Sequence, residues 1–135
     1  MSDNNLILMG ILYKETTDTV IKLFFKVHQK LGFGFFEKVY ERALIYELKN
    51  HGFQVESQKK IEVFYDGQNI GDYYADIVVN SQVILELKAA EAIALEHEFQ
   101  LINYLKASEM EVGLLLNFGK KAEFKRKIYT NDFKL

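Results

Sequence analysis

The sequence predicts one domain over residues 1–135, of α/β (α+β) class, in which helices flank a mixed sheet of four or five strands. Three observations support this fold class. Apolar residues recur at helical spacing up to about residue 50. The period then changes to two, with short turns between the segments, as in β-hairpins. Near the C-terminus, a helical pattern lies between two apolar strands, which is the arrangement of a βαβ unit.

Composition narrows the classes of protein that the chain can belong to. Hydrophobic residues make up 49% and charged residues 27% of the chain, as in ordinary globular domains. The absence of cysteine excludes disulfides, thiolate zinc sites and thiol catalysis. No apolar run spans a bilayer, and Leu6–Leu12 lacks the cationic start and cleavage site of a signal peptide. We therefore expect a cytoplasmic protein without a membrane partner, in which Met1–Asn5 are loose.

Two helices are predicted in the N-terminal part of the chain. The first runs from about 17 to 31, with Thr17 and Asp18 as capping residues, and Gly32-Phe33-Gly34 ends it. The second runs from about 35 to 50 and ends at His51-Gly52. The preceding segment, Leu6–Tyr13, is either an N-terminal strand or a packed loop.

Strands follow the second helix. Apolar residues alternate over Ile61–Tyr65, and Asp66-Gly67 is a strong hairpin-turn signal before a strand at about 70–79. A further strand covers about 83–87. The loop between these two strands decides which side chains face each other.

The two possible loop lengths give opposite results for Asp76 and Glu86. A two-residue loop, Asn80-Ser81, would place them on opposite faces of the sheet. A three-residue loop that includes Gln82 places them opposite each other, with Lys88 on the same face. The second register also collects five apolar residues on the other face, so packing favours it. These residues are Ile77, Val79, Val83, Leu85 and Leu87.

The C-terminal part predicts a helix at Leu95–Ala107 and then a strand at Val112–Phe118, whose continuous apolar character is typical of a strand buried on both faces. With the strand before the helix, these elements form the predicted βαβ unit. The last strand, at about 124–129, is expected at a sheet edge because it carries Lys125, Arg126 and Lys127.

Asp76, Glu86 and Lys88 form the first candidate site. Two carboxylates on neighbouring strands, with the carbonyl of Leu87, can bind a hard divalent cation, which prefers oxygen ligands. Such a cation lowers the pKa of water and stabilises charge on a phosphate, and Lys88 can assist either process. The alternative is a surface salt bridge between strands, which stabilises little.

Further candidate site residues lie on the second and third helices and in the C-terminal basic run. His97, Gln100 and Tyr104 share one helix face and either line a cleft or are ordinary surface residues. Glu37, at the start of the second helix, either caps that helix or adds a third acid to the site. A basic run is either a solvated edge strand or a phosphate-binding patch. It consists of Lys120, Lys121, Lys125, Arg126 and Lys127.

Four motifs resemble known nucleases. Gly34–Tyr40 resembles the G-x-x-E-x-x-Y signature of a family of small bacterial proteins assigned to the PD-(D/E)xK nuclease superfamily. Asp76 and Glu86-Leu87-Lys88 resemble the D…E-x-K core of that superfamily. Gln100–Tyr104 resembles the Q-x-x-x-Y motif of some of its members, and Val112–Gly119 also resembles the family. The likeness covers about residues 17 to 130, with alanine at position 75 where the motif has proline.

This resemblance implies a restriction-endonuclease-like core in which Asp76 and Glu86 bind Mg²⁺ (or Mn²⁺) and Lys88 serves the attacking water. It also implies supporting roles for Glu37 and Gln100. We hypothesise a Mg²⁺-dependent nuclease that hydrolyses the phosphodiester bonds of nucleic acid, with DNA as substrate. The residues expected to contact the substrate are His97, Tyr104, Tyr40, Lys125 and Arg126.

The rival hypothesis is a non-catalytic module that binds nucleic acid or protein and retains the nuclease fold. The net charge of −2 motivates it, because dedicated nucleic-acid binders are usually basic. The small size of the chain leaves little surface for base-specific contacts, and a homodimer can supply that surface.

Overall fold

A computed structural model describes residues 12–134 of the chain and shows a mixed five-stranded sheet flanked by helices. The fold class is therefore the predicted one. Two sequence-based expectations fall outside the described residues. They concern the loose start, Met1–Asn5, and nearly all of the strand or loop at Leu6–Tyr13. The helices are α1 (Lys14–Leu31), α2 (Glu37–Asn50) and α3 (Leu95–Ala107), and a short 3-10 helix covers Asn131–Phe133. The strands are β1 (Val55–Tyr65), β2 (Gln68–Val79), β3 (Val83–Lys88), β4 (Val112–Phe118) and β5 (Ala122–Ile128).

The strands lie in the order β1-β2-β3-β4-β5. Only β3 and β4 pair in parallel, across the connection that contains α3, and the other neighbours pair antiparallel. This confirms the predicted unit of strand, helix and strand, and it places β5 at an edge as expected. Both α3 and β4 have the predicted bounds.

The loop between β2 and β3 has three residues, as apolar packing predicted. Val79 pairs with Val83 and Ile77 with Leu85. Asn80 and Ser81 adopt φ angles of 52° and 53°, a left-handed conformation that closes the turn. This register fixes which residues of the two strands share a face.

The sheet is buried on both faces. One apolar cluster lies between the sheet and helices α1 and α2, and it contains all five apolar residues that the register was expected to collect. A second cluster lies under α3 and includes Ile84 and Leu115. Because side chains alternate along a strand, Glu86 lies on the same side as Ile84, facing α3. None of the helices between residues 12 and 134 combines the length and apolar character needed to cross a membrane.

Tyr40 belongs to the first cluster and is fully buried. Its ring stacks on Phe118 with a centroid distance of 4.3 Å, and its hydroxyl donates to the carbonyl of Gly32 at 2.7 Å. The expectation that Tyr40 contacts substrate is therefore corrected to a packing role, because no surface of the side chain is accessible.

Several boundaries differ from those predicted. Helix α1 begins at Lys14, and Thr17 donates to the carbonyl of Lys14 at 3.1 Å from within the first turn instead of capping the helix. Strand β1 begins at Val55 because its polar first half pairs with the buried end of β2. That half carries no apolar alternation, so the sequence pattern did not reveal it.

The buried amide of Asn117 fixes the chain just after β3. Asn117 pairs with Lys88 in the parallel register. Its Oδ1 accepts from the N–H of Ala90 at 2.9 Å, and its Nδ2 donates to the carbonyl of Ala90 at 3.0 Å. The segment that follows Lys88 is thereby held by two hydrogen bonds from a fully buried side chain.

Replacing Asn117 with alanine is expected to lower the free energy of unfolding by about 2–4 kcal/mol, because both backbone groups of Ala90 lose their partner. Urea denaturation measures this difference. Asn103→Ala, at an exposed position in α3, is the matched control and should change little. An unchanged denaturation midpoint for Asn117→Ala would show that water replaces the amide without cost.

Candidate metal and phosphate site

The backbone of the β2–β3 hairpin holds Asp76 and Glu86 together. The N–H of Asp76 donates to Glu86 Oε1 at 3.2 Å. In return, the N–H of Leu87 donates to Asp76 Oδ2 at 2.9 Å. The two acids that the sequence predicted as metal ligands are therefore neighbours, and each is oriented by a backbone group of the opposite strand.

Glu86 is the electrostatically unusual member of the pair. The residue is 5% exposed. Burial raises the pKa of Glu86 to about 8, with the charge of Asp76 as the second cause, while the charge of Lys88 acts in the opposite direction. An ionised Glu86 beside Asp76 therefore needs a positive charge, which Lys88 supplies only in part.

Lys88 and Gln100 also come together. Lys88 is half-buried, and its Nζ donates to Gln100 Oε1 at 3.4 Å. This contact joins the end of β3 to α3, and it keeps the ammonium group on the same side of the sheet as Glu86.

Tyr104 forms part of the wall of this site. The ring is 6% exposed and lies 4.8 Å from that of Tyr73, measured between centroids. Burial raises the pKa of Tyr104 to about 12, with further contributions from the charges of Glu86 and Asp76. The hydroxyl therefore remains protonated near neutral pH and is available as a hydrogen-bond donor.

His97 has a local role at the start of α3. Its Nδ1 accepts from the N–H of Ala94 at 3.1 Å, which caps the helix. The expected contact between His97 and substrate can involve only the remaining ring nitrogen.

A third acid, Glu41, reaches the site through a hydrogen-bond network that the sequence did not reveal. Glu41 is 5% exposed, and its Oε1 accepts from Ser57 Oγ at 3.1 Å and from Gln58 Nε2 at 3.2 Å. Gln58 Nε2 also donates to Asp76 Oδ1 at 3.2 Å. Gln58 is the residue between the Ser57–Ile77 and Lys59–Ala75 pairs of β1 and β2, and it has a φ of 52°. Its side-chain amide links Glu41 of α2 to Asp76.

Glu37 does not bond to the two acids. It is exposed and lines a cleft together with Ala89 and Ala90, which follow Lys88. Within residues 12–134, it makes no hydrogen bond to Asp76, Glu86 or Lys88. Glu37 and Glu41 are four residues apart on the same helix face, and the signature motif directed attention to the first of them.

The basic run is partly engaged within the protein. Arg126 donates to the carbonyl of Leu12, and burial lowers the pKa of Arg126. Lys127 forms an ion pair with Glu98 at 2.6 Å. Lys125 is exposed, so it retains a side chain that can meet a phosphate.

The donors at the site suit a hard divalent cation in type. Each oxygen of Asp76 accepts one hydrogen bond and keeps a lone pair, and Glu86 adds a carboxylate that lacks a full counter-charge. Across the described part of the chain, no three His, Cys, Asp or Glu side chains come together as a metal site.

Known proteins resemble this chain in sequence pattern and in fold. The sequence model described as the PD-(D/E)XK nuclease superfamily matches residues 14–127. Among solved structures, that of SSO0001 is similar with a TM-score of 0.54 and 19% identity, over 70% of this chain and 50% of that chain. The matched region is thus half of SSO0001, and the likeness concerns the fold. No curated protein matches the chain.

Proposed function

The chain belongs to the PD-(D/E)XK nuclease superfamily, and from this premise we propose that it hydrolyses phosphodiester bonds of nucleic acid, with DNA as its substrate. The observation that supports this best is the pairing of Asp76 with the buried Glu86, whose pKa is raised, on the side of the sheet that carries Lys88. Two acids with a deficit of positive charge, beside a lysine, match the needs of a cation and a phosphate.

The proposed cofactor is Mg²⁺ or Mn²⁺, held by Asp76 and Glu86. When bound, such a cation lowers the pKa of water and stabilises negative charge on the phosphate. Both acids must be ionised to hold it, and the Asp76 carboxylate is already oriented by the N–H of Leu87. The pair is therefore arranged before a cation arrives, which lowers the entropic cost of binding.

Lys88 acts on the phosphate in this proposal. Its ammonium group stabilises the charge that develops on the phosphate oxygens as water attacks. Gln100 accepts a hydrogen bond from Lys88 and so restricts where that charge lies. Tyr104 offers a neutral hydroxyl close to the two acids, and Lys125 offers an exposed charge to the nucleic-acid backbone.

Several finer expectations remain proposals. These are membership of the G-x-x-E-x-x-Y family, a bacterial source, a cytoplasmic location, a single-domain organisation and a homodimer. We also propose that His97 and Arg126 bind substrate. Each of them already makes a hydrogen bond within the protein, which limits the atoms that it can offer.

A cleavage assay tests the central proposal. The protein is incubated with single-stranded, duplex and branched DNA, and with RNA, in Mg²⁺ or Mn²⁺. We expect cleavage of DNA that stops when EDTA removes the cation. Cleavage of RNA alone would contradict the choice of substrate.

Besides the net charge of −2, one structural observation favours the non-catalytic alternative: residues 12–134 provide no cluster of three His, Cys, Asp or Glu side chains. Salt-sensitive binding of DNA without cleavage of any of these substrates would support it.

The two acids of α2 can be separated by substitution. Glu41→Gln is expected to lower the cleavage rate by about 10- to 100-fold, because the Gln58 amide that orients Asp76 loses a charged partner. Glu37→Gln is the matched control and should have a clearly smaller effect. A larger effect of Glu37→Gln would return the supporting role to the acid that the motif indicates.

A further inference from the structure

A cleft of about 780 Å³ opens beside the candidate site, between the start of α2 and the segments that follow β3 and β4. Its volume lies within the range of about 300–1,000 Å³ that is usual for small-molecule sites. The residues that line it include Phe33, Phe35, Phe36, Ala89, Gly119 and Lys120.

Three phenylalanine side chains line this cleft and remain in contact with solvent. Phe36 is 87% exposed, Phe33 58% and Phe35 47%. A cluster of exposed apolar side chains is unusual on a protein surface and marks places where ligands or other molecules bind. The aromatic faces are therefore available to a planar partner.

The loop that carries these rings is fixed from beneath. The buried hydroxyl of Tyr40 accepts from the N–H of Phe35 at 3.3 Å and donates to the carbonyl of Gly32 at 2.7 Å. Gly34 has a φ of 109°, which side-chain-bearing residues rarely adopt. The rings are thus presented by an ordered turn, so less conformational entropy is lost when a ligand binds.

The floor of the cleft consists of small residues and continues the candidate site. Ala89 directly follows Lys88 and lines the cleft with Ala90 and Gly119. A Cβ atom on Gly119 would lie 2.6 Å from the carbonyl oxygen of Ala90, so only glycine fits there. The cleft therefore begins one residue along the chain from Lys88.

The charges around the cleft favour an uncharged ring over a phosphate inside it. Lys38 and Lys120 line the cleft, and so do Glu37 and Glu91. Lys120 Nζ lies 5.7 Å from the centroid of the Phe33 ring, in a cation–π contact. Aromatic rings beside lysines are the combination by which proteins bind single-stranded nucleic acid, with bases stacked on rings and phosphates near cations.

From these observations we propose that the cleft binds an unpaired nucleobase adjacent to the scissile phosphate, with Phe36 as the stacking platform. The inference deepens and rests on the proposed nuclease function, and it identifies single-stranded or locally unpaired nucleic acid as the substrate class. A base within a duplex is stacked on both faces and cannot enter the cleft without leaving the helix.

Equilibrium binding in EDTA tests the inference without requiring hydrolysis. A fluorescein-labelled single strand and the matching blunt duplex are titrated with the protein. The wild type should prefer the single strand. Phe36→Ala should weaken single-strand binding by about 5- to 150-fold and leave duplex binding unchanged, and Phe36→Trp should retain the wild-type affinity.

Tyr46→Ala is the control, because Tyr46 is another exposed aromatic residue, at 64% exposure in α2, but does not line the cleft. Phe36 is on the surface, so the variant should keep the wild-type melting temperature. Equal losses for both forms of DNA, or no loss for either, would overturn the inference. A wild-type dimer that Phe36→Ala converts to a monomer would overturn it too, because a second copy would then cover the cleft.

The same experiment separates this inference from the proposed function. Phe36-dependent binding in EDTA by a protein that cuts no substrate would retain the base site and remove the nuclease. Metal-dependent cleavage with binding independent of Phe36 would retain the nuclease and remove the base site.

Discussion

Replacing Lys88 with alanine is expected to lower kcat for DNA cleavage by about 10²- to 10³-fold, because the phosphate loses the positive charge that stabilises its developing negative charge. Stability should change by less than about 0.5 kcal/mol, since Lys88 is half-buried and makes one long hydrogen bond, to Gln100. Single-turnover cleavage with saturating Mn²⁺ measures the first effect, and urea denaturation measures the second.

Lys22→Ala is the control for loss of a lysine, because Lys22 is exposed on α1. It should leave kcat unchanged. A Lys88→Ala protein that folds and cleaves at the wild-type rate would remove Lys88 from the mechanism.

Replacing Glu86 with glutamine should abolish metal-dependent cleavage and, at high pH, stabilise the metal-free protein. Because burial and Asp76 raise the pKa of Glu86 to about 8, the folded state holds a proton that the unfolded state has released. The associated stability is fully present below the unfolded pKa of about 4.5 and is lost as the pH rises to about 8.

Such a shift corresponds to a stability change of about 5 kcal/mol, and we expect glutamine to recover about 1–3 kcal/mol of it at pH 8.5. Urea denaturation in EDTA at pH 5 and pH 8.5 measures this. The wild type should lose more stability between the two pH values than Glu86→Gln does. Parallel losses would show that Glu86 titrates in the folded protein as it does in the unfolded chain.

The placement of the two acids could be predicted from the sequence because packing determines it. Shifting the β2–β3 register by one residue would turn either Ile77 or Leu85 away from the cluster formed with α1 and α2. The register that buries them also brings Asp76 to Glu86. Strong helical periodicity likewise predicted α3, and with it the position of Gln100.

The supporting network could not be predicted in the same way. Glu41 contacts Gln58, which is 17 residues away and lies in a polar half-strand without alternation. Gln58, which also bonds to Asp76, adopts a left-handed φ within the strand. No local pattern encodes that conformation for a glutamine, because glycine, asparagine and aspartate are the residues that usually signal it.

Tyr40 and Arg126 show why the sequence alone could not identify every residue that contacts substrate. Both are polar residues in or near suggestive motifs, so the sequence favoured a contact with substrate. The structure instead satisfies them internally, with Tyr40 bonded to the carbonyl of Gly32 and Arg126 to that of Leu12. Sequence reasoning identifies residues able to bind a ligand, but the surrounding backbone decides whether they are already occupied.

The most direct measurement of the central claim is anomalous scattering from crystals soaked in Mn²⁺. We expect one Mn²⁺ peak between the carboxylates of Asp76 and Glu86, which Glu86→Gln removes. Crystals that bind Mn²⁺ elsewhere but show no peak between Asp76 and Glu86 would contradict this metal site.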